Sequence, residues 1–319
     1  MLPMPTLEDI RQAAARIAPY AHRTPVLTCS SLNHMLGTEV FFKCENFQKV
    51  GAFKFRGACN AVFALSDPQA QRGVATHSSG NHAAALALAA RLRGISAWIV
   101  MPKTAPAVKK AAVAGYGGRI VFCEPTLADR ESTLARVQQE TGATFVPPYN
   151  DPYVIAGQGT AALELYHDTT TLDVILAPVG GGGLISGTAL AVTALSPTTR
   201  VIAVEPAGAD DAYRSLQAGY ILPAVQPRTI ADGLLTSLGD LTFAVIQKHV
   251  AQIVTVSEDA IITAMRHIWE RMKVLIEPSA AVPVAALLEN KISLTGQRVG
   301  IILSGGNVDL DRLPWPAAV

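Results

Sequence analysis

Short apolar runs alternate with amphipathic stretches along almost the whole chain. From residue 73 the pattern predicts a strand GVATHSS (73–79), a helix NHAAALALAARLR (81–93) and a strand ISAWIVM (95–101). A helix over 107–117, a strand RIVFCE (119–124), a helix over 127–141 and a strand ATFVPP (143–148) continue it. These strands are continuously apolar rather than alternating, which suits a parallel sheet covered on both faces. The punctuation PPYNDP at 147–152 breaks the rhythm. It resumes with a helix over 154–168, a strand DVILAPV (173–179), a glycine loop, a helix over 184–196 and a strand RVIAVEP (200–206). Helices over 259–273 and 278–290 and a strand RVGIILSGG (298–306) follow. An N-terminal helix and a strand VFFKCE (40–45) precede the first repeat. The expectation is an α/β protein of two open parallel-sheet domains. The smaller, 73–148, is inserted in a larger one made of 1–72 and 149–319, and a cleft lies between them.

Composition narrows the function classes. Half of the 319 residues are hydrophobic and 16% are charged, with Lys+Arg 26 against Asp+Glu 25 and a net charge of +1. Such a chain buries enough apolar surface to order itself. With no basic excess or basic run, no nucleic-acid partner is expected. No apolar stretch approaches the ~20 residues of a spanning helix, and the start turns acidic within eight residues, unlike a signal peptide. Neither a membrane nor an export route is expected. The cysteines Cys29, Cys44, Cys59 and Cys123 form no CxxC pair, which fits reduced thiols in the cytoplasm.

Open α/β sheets bind ligands beyond the carboxyl ends of their strands, and four loops of unusual composition stand near such ends. In KVGAFKFRGA (49–58), Lys54 sits between two phenylalanines. Burial disfavours a charged amine, and a neutral one can attack a carbonyl to form a Schiff base; the plain alternative is a helix-surface lysine covering apolar area with its stem. In THSSGNHA (76–83), Ser78, Ser79 and Asn81 offer donors at a helix N-terminus, which suits a carboxylate better than simple capping would require. VGGGGLISG (179–187) brings backbone N–H groups and a helix dipole to one turn, as a small phosphate needs. It is neither a Walker loop nor the dinucleotide GxGxxG. LSGGNVDLD (303–311) presents Ser304 beside two glycines. A phosphate, a carbonyl awaiting an amine, a ring and an amino-acid carboxylate are together satisfied by pyridoxal 5'-phosphate with an amino-acid substrate.

In order and spacing, GAFKFRGA, HSSGNHA, GGGGLISG and SGGNVD resemble the motifs of the fold-type-II, tryptophan synthase β-like, pyridoxal-phosphate enzymes. The likeness is to the serine/threonine dehydratase and serine racemase family, and within it to 3-hydroxyaspartate ammonia-lyases. It covers essentially the full length. The resemblance implies that Lys54 holds the cofactor as an internal aldimine and that Phe53 stacks on its ring. Asn81 then bonds the phenolic oxygen, Gly180, Gly181, Gly182, Gly183 and Leu184 cradle the phosphate, and Ser304 partners the ring nitrogen. Ser79 matches the residue facing the substrate α-carbon opposite Lys54, which makes these two the catalytic pair. Ser78, Ser79, Asn81 and His82 belong to the substrate-binding loop, although His82 alone reads as structural. A neutral serine at the ring nitrogen gives a weaker electron sink than an aspartate, which favours β-elimination over transamination. Ser79 adds an acid on the second face and with it some racemase activity.

VEPAGADDAY (204–213) reads by itself as a solvated acidic loop. The resemblance turns it into a divalent-cation site of Glu205, the Ala209 carbonyl and Asp211, for Mg²⁺ or otherwise Ca²⁺ or Mn²⁺. Two features bear on the substrate. Arg130 matches a family arginine that holds a second carboxylate, which a guanidinium grips bidentately; the alternative is an exposed helix-end arginine. Ala52 stands where many serine and threonine enzymes carry serine. Both point to 3-hydroxyaspartate, and Thr236 adds a contact. A serine racemase or a serine/threonine dehydratase is the neighbouring reading. A non-catalytic amino-acid sensor and a nucleotide-binding oxidoreductase are the distant ones, countered by the intact Lys54 and by the lack of a dinucleotide fingerprint. A homodimer is implied by the resemblance. Feedback by isoleucine is not expected, since the chain leaves no room for a regulatory domain.

Overall fold

The computed structural model describes residues 3–169 and 171–315. Among the described residues, ten strands form two sheets. They are β1 (Val26–Thr28), β2 (Glu39–Cys44), β3 (Val74–His77), β4 (Ala97–Pro102), β5 (Arg119–Cys123), β6 (Thr144–Phe145), β7 (Val174–Pro178), β8 (Arg200–Pro206), β9 (Gln252–Val256) and β10 (Arg298–Leu303). The six-stranded sheet runs β1-β2-β10-β7-β8-β9 and the four-stranded sheet β5-β4-β3-β6. All pairings are parallel except β1 with β2, which is antiparallel with Val26 opposite Lys43.

The apolar strands are explained by burial on two faces. In β7, Val174 and Leu176 pack into one cluster with Val284 of the helix Pro278–Leu288. Ile175 and Ala177, on the opposite face, pack with Ile155 of the helix Pro152–Asp168 and Ile185 of the helix Gly183–Leu195. No position of the strand is left for a polar side chain, so its pattern is continuous rather than alternating.

Strand order also places the ligand. In the six-stranded sheet β7, β8 and β9 progress outward one way, while β10 lies on the other side of β7. In the four-stranded sheet β3, β4 and β5 progress one way and β6 lies on the other side of β3. Each reversal opens a crevice at the strand ends, where ligands of such sheets sit. The loops at the two reversals follow β7, β10, β3 and β6. They carry the tetraglycine, Ser304, the HSSGN turn and the PPYN turn, and all four line one cavity.

Several elements differ from the sequence pattern. The helices Ser30–Leu36, Asp67–Arg72, Asp211–Ala218 and Asp240–His249 and the strands β1 and β9 are additional. The single helix expected over 259–273 is α-helical over Glu258–His267 and widens to a π-turn at Ile268–Met272, ending on Lys273 at φ 59°.

Candidate active site

The cavity between the two sheets has a volume of about 1090 Å³. Lys54 is the first residue of the helix Lys54–Ala64, and the chain that delivers it is zipped to the loop after β10. Phe53 N–H donates to the Ser304 carbonyl at 3.0 Å, Gly306 N–H donates to the Gly51 carbonyl at 2.9 Å, and Ala52 bridges to Gly305. This seam sets Lys54 and the buried Ser304 side by side in the cavity wall. The Lys54 ammonium donates to the Pro148 carbonyl at 2.7 Å and lies 5.1 Å from the Phe53 ring. Burial pulls its pKa down to about 8, against the opposing pull of Glu277.

The tetraglycine follows β7 and opens the 13-residue helix Gly183–Leu195, whose first-turn N–H groups have no intrahelical acceptors. Gly182 has φ 91°, which disfavours any side chain there. A Cβ on Gly181 would lie 2.3 Å from the Tyr149 ring, so the turn admits only glycine against this neighbour. The Thr242 hydroxyl pins the turn by donating to the Gly181 carbonyl at 2.8 Å. A small anion held by backbone N–H groups fits this cradle.

Asn81 begins the helix Asn81–Arg93. Its amide donates to both oxygens of Glu277, at 3.0 and 3.2 Å, and accepts from Asn307 Nδ2 at 2.9 Å. Ser78, Ser79 and His82 join Asn81 in the wall. His82 is buried with Nε2 3.0 Å from the Val146 carbonyl. Burial and the Lys54 charge push its pKa down to about 3, which makes it a neutral wall residue. Arg130 lies in the first turn of the helix Leu127–Thr141 and lines the cavity. Its Nε is buried without a hydrogen-bond partner. Thr236 lines the same cavity from the other sheet's side. Lys109 and Asp232 pair at 2.6 Å across the mouth.

The structure thus brings together every residue that the sequence proposed for cofactor and substrate: Phe53, Lys54, Ser78, Ser79, Asn81, His82, Arg130, Gly180, Gly181, Gly182, Gly183, Leu184, Thr236 and Ser304 all line the cavity. It adds Glu277, Asn307, Tyr149, the Pro148 carbonyl and the Lys109–Asp232 pair, none of which sequence reasoning singled out. Asn307 stands inside the SGGNVD motif; Glu277 gave no local signal beyond preceding a helix-opening proline.

The acidic loop lies apart from these cavity residues. Glu205, near the end of β8, accepts from the N–H groups of Ala212 and Tyr213 at 3.0 and 2.9 Å. Burial raises its pKa to about 8. Asp211 is buried, neither of its carboxylate oxygens has a hydrogen-bond partner, and burial raises its pKa to about 6. Two buried carboxylates, of which Asp211 has both oxygens unpartnered, suit a hard cation. Among the described residues no group of three His, Cys, Asp or Glu side chains gathers anywhere, so a cation here would draw its further ligands from backbone carbonyls and water.

The double switch point, the lysine in an apolar wall and the glycine cradle define a pyridoxal-phosphate site. The chain belongs to the pyridoxal-phosphate dependent enzyme family, whose model matches residues 17–305. It is 56% identical over 312 residues to the beta-hydroxyaspartate dehydratase of Paracoccus denitrificans, covering 98% of this chain and 99% of that one. It is 49% identical over 310 residues to the L-threo-3-hydroxyaspartate ammonia-lyase of Saccharomyces cerevisiae, covering 97% and 95%. Among solved structures, maize serine racemase matches with a TM-score of 0.95 at 50% identity, covering 97% of this chain and 95% of that one. The α/β fold with parallel sheets expected from the sequence is the fold of this family.

Proposed function

We propose that the protein is an ammonia-lyase that removes water from 3-hydroxyaspartate. The resulting enamine becomes the imine, and water hydrolyses that to oxaloacetate and ammonia. One observation carries the substrate reading: a guanidinium with an unpartnered buried Nε, Arg130, in the same cavity as Lys54. A buried donor left without an acceptor costs free energy, and a distal carboxylate satisfies it.

The roles follow from position. The glycine turn Gly180–Gly183 with Leu184 would hold the cofactor phosphate through N–H groups, Phe53 would back the ring, and Asn81 and Ser304 would serve its oxygen and its nitrogen; all of them line the cavity. When bound, the cofactor stabilises negative charge at the substrate α-carbon. The Ser79 N–H and the hydroxyls of Ser78 and Ser79, just before the helix Asn81–Arg93, bind the α-carboxylate, with His82 as the neutral wall behind them; the Ser78 N–H is already donated to the Val100 carbonyl at 3.2 Å. Lys54 Nζ, once free, would take the α-proton; its lowered pKa suits a base at neutral pH. Ser79 holds a proton on the opposite face and supports slow racemisation. Thr236 and Arg130 receive the β-substituent. We assign 73–148 to a small substrate-binding domain and 1–72 with 149–319 to a large cofactor-binding one. We further propose a homodimer in the cytoplasm; the four cysteines are free and buried, and among the described residues no helix is long and apolar enough to cross a membrane.

Arg130→Met tests the substrate. KM for 3-hydroxyaspartate is expected to rise about 10- to 100-fold, the equivalent of one charge-assisted hydrogen bond, with little change for serine or threonine. A wild-type enzyme that turns over serine or threonine far more efficiently than hydroxyaspartate would instead indicate a racemase or a serine/threonine dehydratase.

Glu205, the Ala209 carbonyl and Asp211 are proposed to bind Mg²⁺ in a structural or activating role. Mg²⁺ is expected to raise the melting temperature over that in chelator by several degrees, and Asp211→Ala to abolish the difference. Equal melting in both conditions for the wild type removes the site.

A further inference from the structure

A primary amide such as Asn81 has two orientations related by a flip, and only one directs N–H donors where a ligand oxygen needs them. Here both sides of the amide are constrained. Asn307 Nδ2 donates at once to the Val50 carbonyl at 2.7 Å and to Asn81 Oδ1 at 2.9 Å. The backbone carbonyl fixes the Asn307 amide, and the Asn307 amide in turn requires an acceptor from Asn81. That carbonyl belongs to an unusual residue: Val50 is β-branched and has φ 57°, a conformation that persists only where the surroundings impose it. On the other side stands Glu277, buried and able, when ionised, only to accept. Both its oxygens approach the same Asn81 nitrogen, the mark of one N–H shared by two acceptors. The second N–H therefore remains for the cavity. Glu277 is itself held by Asn307 N–H at 3.1 Å, and its own N–H donates to the Gly305 carbonyl at 3.0 Å, beside Ser304.

We propose that Glu277 is a positioning residue for the cofactor, locking the Asn81 amide, against Asn307, in the one orientation that presents a free N–H to the ring oxygen. The inference rests on the assignment of Asn81 to the cofactor. It goes further by making a cavity-wall carboxylate to which no phosphate or substrate role was assigned a determinant of cofactor binding. The charged groups facing Glu277 are Lys54, Asp232 and Lys109. Burial and Asp232 hold its carboxyl at about 7, so it is largely ionised in a test at pH 8.

Glu277→Gln keeps the volume but offers one acceptor oxygen to two donors, Asn81 Nδ2 and Asn307 N–H, so one donor faces another. The cofactor-free protein is titrated with pyridoxal phosphate at pH 8. Affinity is read from tryptophan fluorescence, the long-wavelength absorbance band of the lysine-bound cofactor is recorded, and the melting temperature of the cofactor-free protein is measured. Glu277→Gln is expected to weaken affinity at least tenfold and to move the band. Adding Asn81→Asp to Glu277→Gln restores a donor–acceptor pair with reversed polarity. Melting is expected to recover in this double variant while affinity does not, because the donor to the cofactor is gone. Recovery of both together means that the carboxylate only supports packing, and the proposal falls. If Asn81→Ala weakens affinity but Glu277→Gln stays within twofold of wild type with an unmoved band, the proposal falls and the role of Asn81 stands. If Asn81→Ala binds normally, both fall. Should Glu277→Gln not fold, Asn307→Ala is read instead: a severalfold loss of affinity is expected, and none overturns the proposal.

Discussion

Lys54→Ala leaves a folded protein with no measurable turnover of 3-hydroxyaspartate, a loss of at least about 10⁴-fold. General-base action alone is worth typically ~10²–10⁴, and the covalent anchor of the cofactor is lost with it. The variant keeps the glycine cradle, so it still binds the cofactor, more weakly and without the long-wavelength absorbance of the lysine adduct. Residual turnover at wild-type rate would transfer both roles to another group. Among the described residues the cavity offers Lys109 as its only other lysine, already paired with Asp232.

The same lysine carries a pH signature. Its pKa is lowered from 10.5 to about 8 by burial, partly offset by Glu277. At pH 7 the neutral amine is thus about 300 times more abundant than for an exposed lysine, since each unit is tenfold in protonation equilibrium. The rate at which the cofactor-free protein captures pyridoxal phosphate is expected to rise with pH up to about 8 and then level. A rise that continues to pH 10 would place the amine in water rather than in the cavity wall.

How far the chain could be read depended on the distance between the cooperating residues. Each of the four loops keeps its chemistry within about ten residues, because a strand-to-helix turn at a sheet's carboxyl end is a local object with its own glycine, serine and asparagine requirements. The pairing of Asn81 with Glu277 spans 196 residues and leaves no periodic trace. The three-residue strand β1 is too short to show a pattern. Between 211 and 256 the two helices and β9 have only eight, ten and five residues, and the Gly- and Pro-interrupted stretch from Gly219 to Gly239 separates the first from the others, so no repeat carries across them. In the helix expected over 259–273 the apolar spacing persists through Trp269, so the pattern could not report the change to a π-turn after His267.

Arg56 follows Lys54 by two residues on the same helix, and Arg56→Met is expected to be the most destabilising single change considered for this molecule. The guanidinium is fully buried and grips two carboxylates. Nε and Nη2 bind Glu45 at 2.7 and 2.8 Å, and Nη1 and Nη2 bind Glu164 at 2.7 and 2.8 Å. The buried Lys43 adds a 2.7 Å contact to Glu164 and donates to the Thr24 carbonyl at 2.7 Å. Lys43 also stands 3.7 Å from Asp168, which Arg23 pairs from the surface, so three cations and three carboxylates balance and the wild type holds no net charge here. Removing Arg56 strands a negative charge there, at a cost of about 3–5 kcal/mol, or a fall of about 5–8 °C in melting temperature for a chain of this size. Glu45→Gln in the same chain removes the stranded charge and leaves the Lys43–Glu164 pair balanced. The double variant is therefore expected to melt above Arg56→Met, with a coupling of about 1–3 kcal/mol. The pH dependence has a definite sign. Burial alone would raise the Glu164 pKa, but Arg56 and Lys43 hold it below its ordinary 4.5. Its contribution is therefore present above 4.5 and lost as the pH falls through the folded-state value. Arg56→Met forfeits most of that contribution, so its melting curve should approach the wild type as the pH is lowered past 4.5. A deficit that stays constant with pH, or a double variant worse than the single, would show that the arginine matters here for its packing and not for its charge.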